Sequence, residues 1–167
     1  MSKIRFAEGL KVLPLVVPVA FTSSAVASEF VDMQLINWAS FLVSFGVMTS
    51  DTTDTVTLTV EVCDIGTTTD STETAVGYSY RLSSAVATDL MGAVTAVGST
   101  GVAVNANADD AKVVIIDVNP AATLATLATA RWIRIVATPV AEVASGVLSV
   151  IAVLEPKYPG TTIPSDT

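Results

Sequence analysis

The residues able to do chemistry in this sequence are few and scattered. There is one cysteine, Cys63, and no histidine, so the commonest general base and metal ligand is missing. Any reaction would have to run on carboxylates, hydroxyls or a single thiol. Cys63 falls on the polar phase of a strand-like pattern, which predicts a solvent-facing or interface thiol, and no imidazole is available to lower its pKa. Asp64, Asp70 and Glu73 bracket a glycine-containing loop, a donor set of the kind calcium takes. Their spacing matches no EF-hand, however, and acidic residues in Thr/Ser-rich loops ordinarily serve turns and solubility. The same holds for Asp51 with Asp54 and for Asp109 with Asp110. No Gly-x-Ser-x-Gly elbow or Ser-x-x-Lys pair marks a nucleophile, and Gly98-Ser99-Thr100-Gly101 lacks the lysine of a phosphate loop, reading simply as a turn. The expectation is a chain with no catalytic residue, no cofactor and no metal.

The remaining candidates are binding residues. Trp38, Tyr78, Tyr80 and Trp132 would make a stacking platform for a sugar or a nucleic acid if they shared a face, although aromatics near strand centres usually belong to a core. Arg131 and Arg134 flank Trp132 and Ile133, which suggests an interface or an intramolecular ion pair rather than a phosphate site. Lys3, Arg5 and Lys11 are three of only eight cations in a chain of formal net charge −8. They make a basic end on an acidic body, suited to docking on an acidic neighbour. Lys3, Arg5, Lys11, Arg131, Trp132 and Arg134 are therefore the candidate interface residues. With no basic stripe to neutralise phosphates, direct nucleic-acid binding is not expected.

These residues must be positioned by strands. Val56, Leu58, Val60 and Val62 alternate with Thr55, Thr57, Thr59, Glu61 and Cys63, the signature of a half-buried strand. Ala39, Phe41, Val43, Phe45 and Val47 alternate in the same way just before it. With turn residues from Thr49 to Asp54, the two runs predict an antiparallel pair. Ala75 to Leu82 is strand-like. Lys112 to Val118 contains Val113, Val114, Ile115 and Ile116 in succession, which predicts a central strand buried on both faces. Asn119 and Pro120 predict the N-cap and first residue of one short helix, about 120–129. Arg131 to Thr138 then places Trp132, Arg134 and Val136 on one face and Ile133, Ile135 and Ala137 on the other, with Pro139 ending the strand. Val147 to Leu154 is apolar on both faces apart from Ser149, predicting a place inside the sheet or under a neighbouring subunit. Short strands with Gly/Thr/Asp turns predict an all-β fold, an antiparallel sandwich or small barrel.

The 167 residues suit one domain, and only 14% of them are charged against about 25% in ordinary soluble proteins. Too few charges solvate the whole surface, so part of it should end against a partner. At the N-terminus Lys3 and Arg5, then Leu13 to Phe21, then Ala25-Val26-Ala27 imitate a secretory signal. Glu8, Lys11, Pro14 and Pro18 interrupt the apolar stretch and oppose that reading, and no run approaches the roughly 20 apolar residues of a membrane span. The organisation expected is an N-terminal arm over 1–28, a β-sandwich over 29–158 and an extended, proline-bearing tail over 159–167. The competing reading of residues 10 to 20 makes them the first strand of the domain's own sheet.

Three segments carry a family resemblance: Val31-Asp32-Met33 leading into an apolar strand, Thr57 to Asp64 followed by a Gly/Thr loop, and Ala130 to Val136. Together with the basic N-terminal segment they resemble small proteins encoded among the head genes of tailed bacteriophages, over about residues 30 to 155. The resemblance implies a virion structural protein, a decoration or cement protein on the capsid surface. Its partners would be the major capsid protein and further copies of itself, as a trimer or other homo-oligomer, with no membrane and no direct nucleic acid. A neck or tail-tube protein is a variant of that reading. Two others come from different classes: an exported adhesin or pilin-like subunit, which would begin near Ser28, and a carbohydrate-binding module presenting its aromatics on one flat face.

Overall fold

The protein, seen in a computed structural model, is all-β with a single short helix among the described residues, which are 9–48, 54–65, 72–105, 108–140, 146–158, 163 and 165–166. In chain order its strands are β1 (Lys11–Phe21), β2 (Val26–Ala27), β3 (Phe30–Asp32), β4 (Ile36–Phe45), β5 (Thr55–Cys63), β6 (Thr74–Val76) and β7 (Tyr78–Leu82). They continue with β8 (Thr95–Val97), β9 (Val102–Asn105), β10 (Val113–Val118), β11 (Trp132–Pro139), β12 (Gly146–Pro156) and β13 (Ser165–Asp166). All pairings are antiparallel. One sheet runs β1-β12-β4-β10-β7-β8, and the other β13-β3-β11-β5-β6 with β2 beside β11 and β9 beside β5.

The alternation visible in the sequence sets which residues meet between the sheets. β4 buries Ala39, Phe41, Val43 and Phe45, and β5 buries Val56, Leu58, Val60 and Val62, in one core with Ile116, Ile133, Ile135, Leu148 and Leu154. This corrects the expected β4–β5 pair. The two strands lie in opposite sheets, β4 between β12 and β10 and β5 against β11. Alternation fixes which face is inward but not which strand lies alongside.

The Ala75 to Leu82 run is also divided, since β6 joins one sheet and β7 the other. The chain changes sheet at Gly77, where a Cβ would stand 3.0 Å from the Val97 carbonyl oxygen. Gly101 has φ +79°, and a Cβ there would come within 2.3 Å of the Leu58 carbonyl oxygen. Only glycine allows β9 so close to β5. Gly98 to Gly101 is the turn expected, closed by the Gly101 N–H on the Gly98 carbonyl at 3.2 Å.

Residues 11–21 follow the second of the two readings given above, forming an edge strand of the protein's own sheet from Lys11 opposite Leu154 to Phe21 opposite Gly146. Pro14 and Pro18 sit on it, and its register shifts between Pro14 and Val16 and between Val16 and Val19. Proline lacks the N–H a central strand must donate, so an edge is where such a strand belongs. The helix, α1 (Pro120–Thr126), starts as its residues dictate. The Asn119 side chain accepts the Ala121 N–H at 2.9 Å with Pro120 at the first helical position, and the helix stops at 126 rather than 129. β10 is central as expected but is not buried on both faces. Val114, Ile116 and Val118 are inside, while Val113, Ile115 and Asp117 are half-buried on the outside.

Candidate interaction surfaces

The proposed interface residues do not form one surface. Lys11 opens β1 at the edge of the six-stranded sheet, whereas Arg131, Trp132 and Arg134 lie at or on β11 in the other sheet. Lys3 and Arg5 lie outside the described residues. Both arginines are ion-paired within the chain. Arg131 donates from Nε and Nη2 to Asp32 Oδ2 at 3.1 and 2.7 Å and stacks on Trp132 at 4.9 Å from the ring centroid. The Asp32 side chain is 1% exposed and also accepts the Gln34 N–H at 2.9 Å, capping the 3-10 turn Met33–Leu35. The Arg131 guanidinium is held charged by its hydrogen bond to Asp32.

Arg134 reaches Glu61 Oε2 with Nε and Nη2 at 3.0 and 2.8 Å, and Glu73 Oε1 at 3.2 Å, while lying 4.8 Å above the Phe30 ring. These contacts follow from register, since Arg134 is directly opposite Glu61 on β5. They tie β3, β5 and β11 together and engage Nε and Nη2 of each arginine within the chain.

Cys63 departs from expectation. It is fully buried, its Sγ donating to the Ile65 carbonyl oxygen at 2.8 Å. Burial first, then the negative charge of Glu73, pushes its pKa up to about 11, so it is a thiol at neutral pH. Asp70 of the considered calcium loop lies outside the described residues, among which no three His, Cys, Asp or Glu side chains come together.

The four aromatics do not share a face. Tyr78 and Tyr80 turn inward. Tyr78 is 6% exposed, and its hydroxyl donates to the Leu58 carbonyl at 2.5 Å while accepting the Val102 N–H at 3.1 Å. That hydroxyl joins β7 of one sheet to β5 and β9 of the other, and its burial pushes the pKa up to about 12. Trp132 is on the opposite sheet from Trp38, so no flat platform forms.

Two features are absent from the sequence-based candidates. The first is the outer face of the six-stranded sheet. The register runs Pro14, Ile151, Leu42 and Ile115 side by side across four strands, and the first charge in that row is Arg81 on β7. In the next row Val12 and Val153 lie opposite each other, and the row continues to Ser40 and the carboxylate of Asp117. Val12, Trp38, Val147 and Ile151 are each between 39% and 46% exposed, and Val17 on β1 reaches 70%. The apolar runs in β10 and β12 were the signal for this face: one phase fills the core and the other is left outside.

The second feature is a cavity of about 540 Å³ where β4, β7, β8, β10 and α1 meet. Its walls include Trp38, Ser79, Val97, Asp117 and Asn119, over Tyr78 and Val118. The Trp38 indole N–H donates to Ser40 Oγ at 3.3 Å, and Ser40 Oγ donates to Asp117 Oδ1 at 2.5 Å. An exposed indole and a carboxylate are thus held at one rim by a shared serine.

Comparison with known proteins adds little to this geometry. No family model matches the chain, and no curated protein does. A solved structure, of infectious bursal disease virus Gt strain, aligns with 95% of this chain and 43% of its own at 12% identity and a TM-score of 0.27. The chain therefore spans less than half of that one, and at this score the likeness carries no argument about fold or role.

Proposed function

We propose that this chain is a non-enzymatic structural subunit of a virion, a decoration or cement protein that stabilises a shell of major capsid protein and associates with further copies of itself. The observation that carries the reading is the outer face of the six-stranded sheet, an apolar row four strands wide with no charge before Arg81. Such a face left in water forgoes about 25 cal/mol for every Å² that a partner would cover, and repetition over a shell multiplies the gain.

The sheet edges support association through faces. β1 carries Pro14 and Pro18, while β6 and β8 have three residues each and β13 two. Short strands and prolines are the devices that stop edge-to-edge pairing. This turns the reading away from an N-terminal arm added to a neighbour's sheet, because residues 11–21 already serve their own. The capsid assignment itself comes from the resemblance in residues 30 to 155.

The test is native mass spectrometry and sedimentation of the purified chain, alone and mixed with shells of a major capsid protein from the same source. The expected result is a homo-oligomer, or saturable uptake onto shells, that I151D abolishes while circular dichroism stays unchanged. A monomer that ignores the shells, or an I151D variant that assembles like the parent, overturns the proposal.

A further inference from the structure

The cavity beside Trp38 has a chemistry that the apolar sheet face does not explain. Its lining brings together one exposed indole, one carboxylate and the side chains of Ser79 and Asn119, and no lysine or arginine is among its walls. The protein around it has a net charge of −8, so the field in the opening favours a cation. Asp117 uses Oδ1 to accept from Ser40, and Asn119 uses its side-chain oxygen to accept the Ala121 N–H. That leaves Asp117 Oδ2 available as an acceptor at the rim. The wall formed by β8 and the residue before it is apolar, with Val94 54% exposed and Ala96 also exposed, and α1 adds the exposed Ala122 beside Thr123, whose hydroxyl is turned back to the Asn119 carbonyl. At about 540 Å³ the space lies within the range of ligand pockets.

We propose that this cavity takes an arginine side chain from a neighbouring polypeptide, the guanidinium stacking on Trp38 and donating to Asp117, with the aliphatic stem against Val94, Ala96 and Ala122. Arginine fits this set better than lysine, because its planar, weakly hydrated fork both stacks on an indole and pairs with a carboxylate. Ser40 is the positioning residue. Through its two hydrogen bonds it links the indole edge to the carboxylate, so that one planar cation meets both. The assignment stands whether or not the chain belongs to a shell, and its test involves no capsid protein.

The experiment uses W132F, which leaves Trp38 as the sole tryptophan, and titrates it with the peptide acetyl-Ala-Arg-Ala-amide while recording indole fluorescence. A second titration uses the same peptide with citrulline, which keeps the shape and loses the charge. The expected result is saturable quenching by the arginine peptide in the millimolar range, at least tenfold weaker with citrulline. It should be weakened several-fold on going from 50 to 500 mM salt, as a partly exposed ion pair is screened. D117N should reduce binding about tenfold or more. A96R, which puts the chain's own guanidinium at the cavity wall, should abolish it and serves if D117N fails to fold. Equal binding of the two peptides, no saturation by either, or quenching by a neutral oligosaccharide that the arginine peptide does not displace overturns the proposal.

Discussion

Removing one oxygen from Tyr78 should weaken the junction between the two sheets, with a pH dependence that identifies the cause. In Tyr78→Phe the ring still fills its place, but the Leu58 carbonyl loses a donor and the Val102 N–H loses the acceptor 3.1 Å away. A neutral hydrogen bond contributes about 1 kcal/mol, and a donor left buried without a partner costs about 1 to 3 kcal/mol. The expected loss at pH 7 is therefore about 2 kcal/mol, or roughly 4 to 8 °C in Tm for a chain of this size. Urea denaturation measures it, and the m-value should not change, because the surface exposed on unfolding is the same. Burial raises the Tyr78 pKa from 10 to about 12. Between those values the unfolded chain gives up the phenolic proton while the folded one keeps it. The hydroxyl's contribution is thus complete below pH 10 and is lost as pH rises toward 12, at about 1.4 kcal/mol per pH unit. The stability curves of parent and variant should converge across that window. A difference under 0.5 kcal/mol at pH 7, or one that stays constant from pH 9 to 12, would refute the account of Tyr78 as a buried link between the sheets.

Four further outcomes are expected. Gly101→Ala puts a Cβ 2.3 Å from the Leu58 carbonyl oxygen at a φ of +79°; it should cost upward of 2 kcal/mol by urea denaturation and speed amide exchange in β9 before the rest of the sheet. The Cys63 thiol, with its pKa near 11, should resist iodoacetamide in the native protein at pH 8 and react once urea unfolds it, so rapid native alkylation would contradict its burial. Because that pKa is raised, its contribution to stability is complete below about pH 9 and fades toward 11, and Cys63→Ala should flatten the curve there. Asp32→Ala strips two donors of Arg131 and the cap of the 3-10 turn of their shared acceptor, and should lower stability by about 1 to 3 kcal/mol in thermal melts.

The individual strands were legible because burial and period agree in them. β5, β11 and the buried phase of β12 needed only alternation, and α1 needed only Asn119 and Pro120. Pairing was not legible. β4 and β5 show the same alternating pattern whether they lie side by side or face each other across a core, and nothing local distinguishes those arrangements. The change of sheet at Gly77 illustrates the difficulty. Ala75 to Leu82 looks like one strand until the close approach to the Val97 carbonyl, distant in sequence, is known. The phase of Cys63 points outward, and the register agrees: it sits opposite Trp132, on the same side of the sheet. What alternation does not encode is that the outer side can itself be covered.

The same reasoning separates the two surface features by how each could be found. The apolar row of the outer face is present in the sequence as runs too apolar for a strand with one wet side: Val147 to Leu154, for which a place under a neighbouring subunit is one of the two readings, and Val113 to Ile116, which reads instead as buried on both faces within the sheet. The cavity had no such signal. Trp38, Ser79, Asp117 and Asn119 come from three strands and a helix cap, and they meet because β10 pairs with both β4 and β7, placing Asp117 opposite Ser40 on one side and Ser79 on the other. A serine two residues from a tryptophan is unremarkable in a sequence. It becomes informative when its hydroxyl spans from the indole of its own strand to a carboxylate on the next, because that bridge holds a flat apolar surface and a negative charge at a spacing that one planar cation can satisfy.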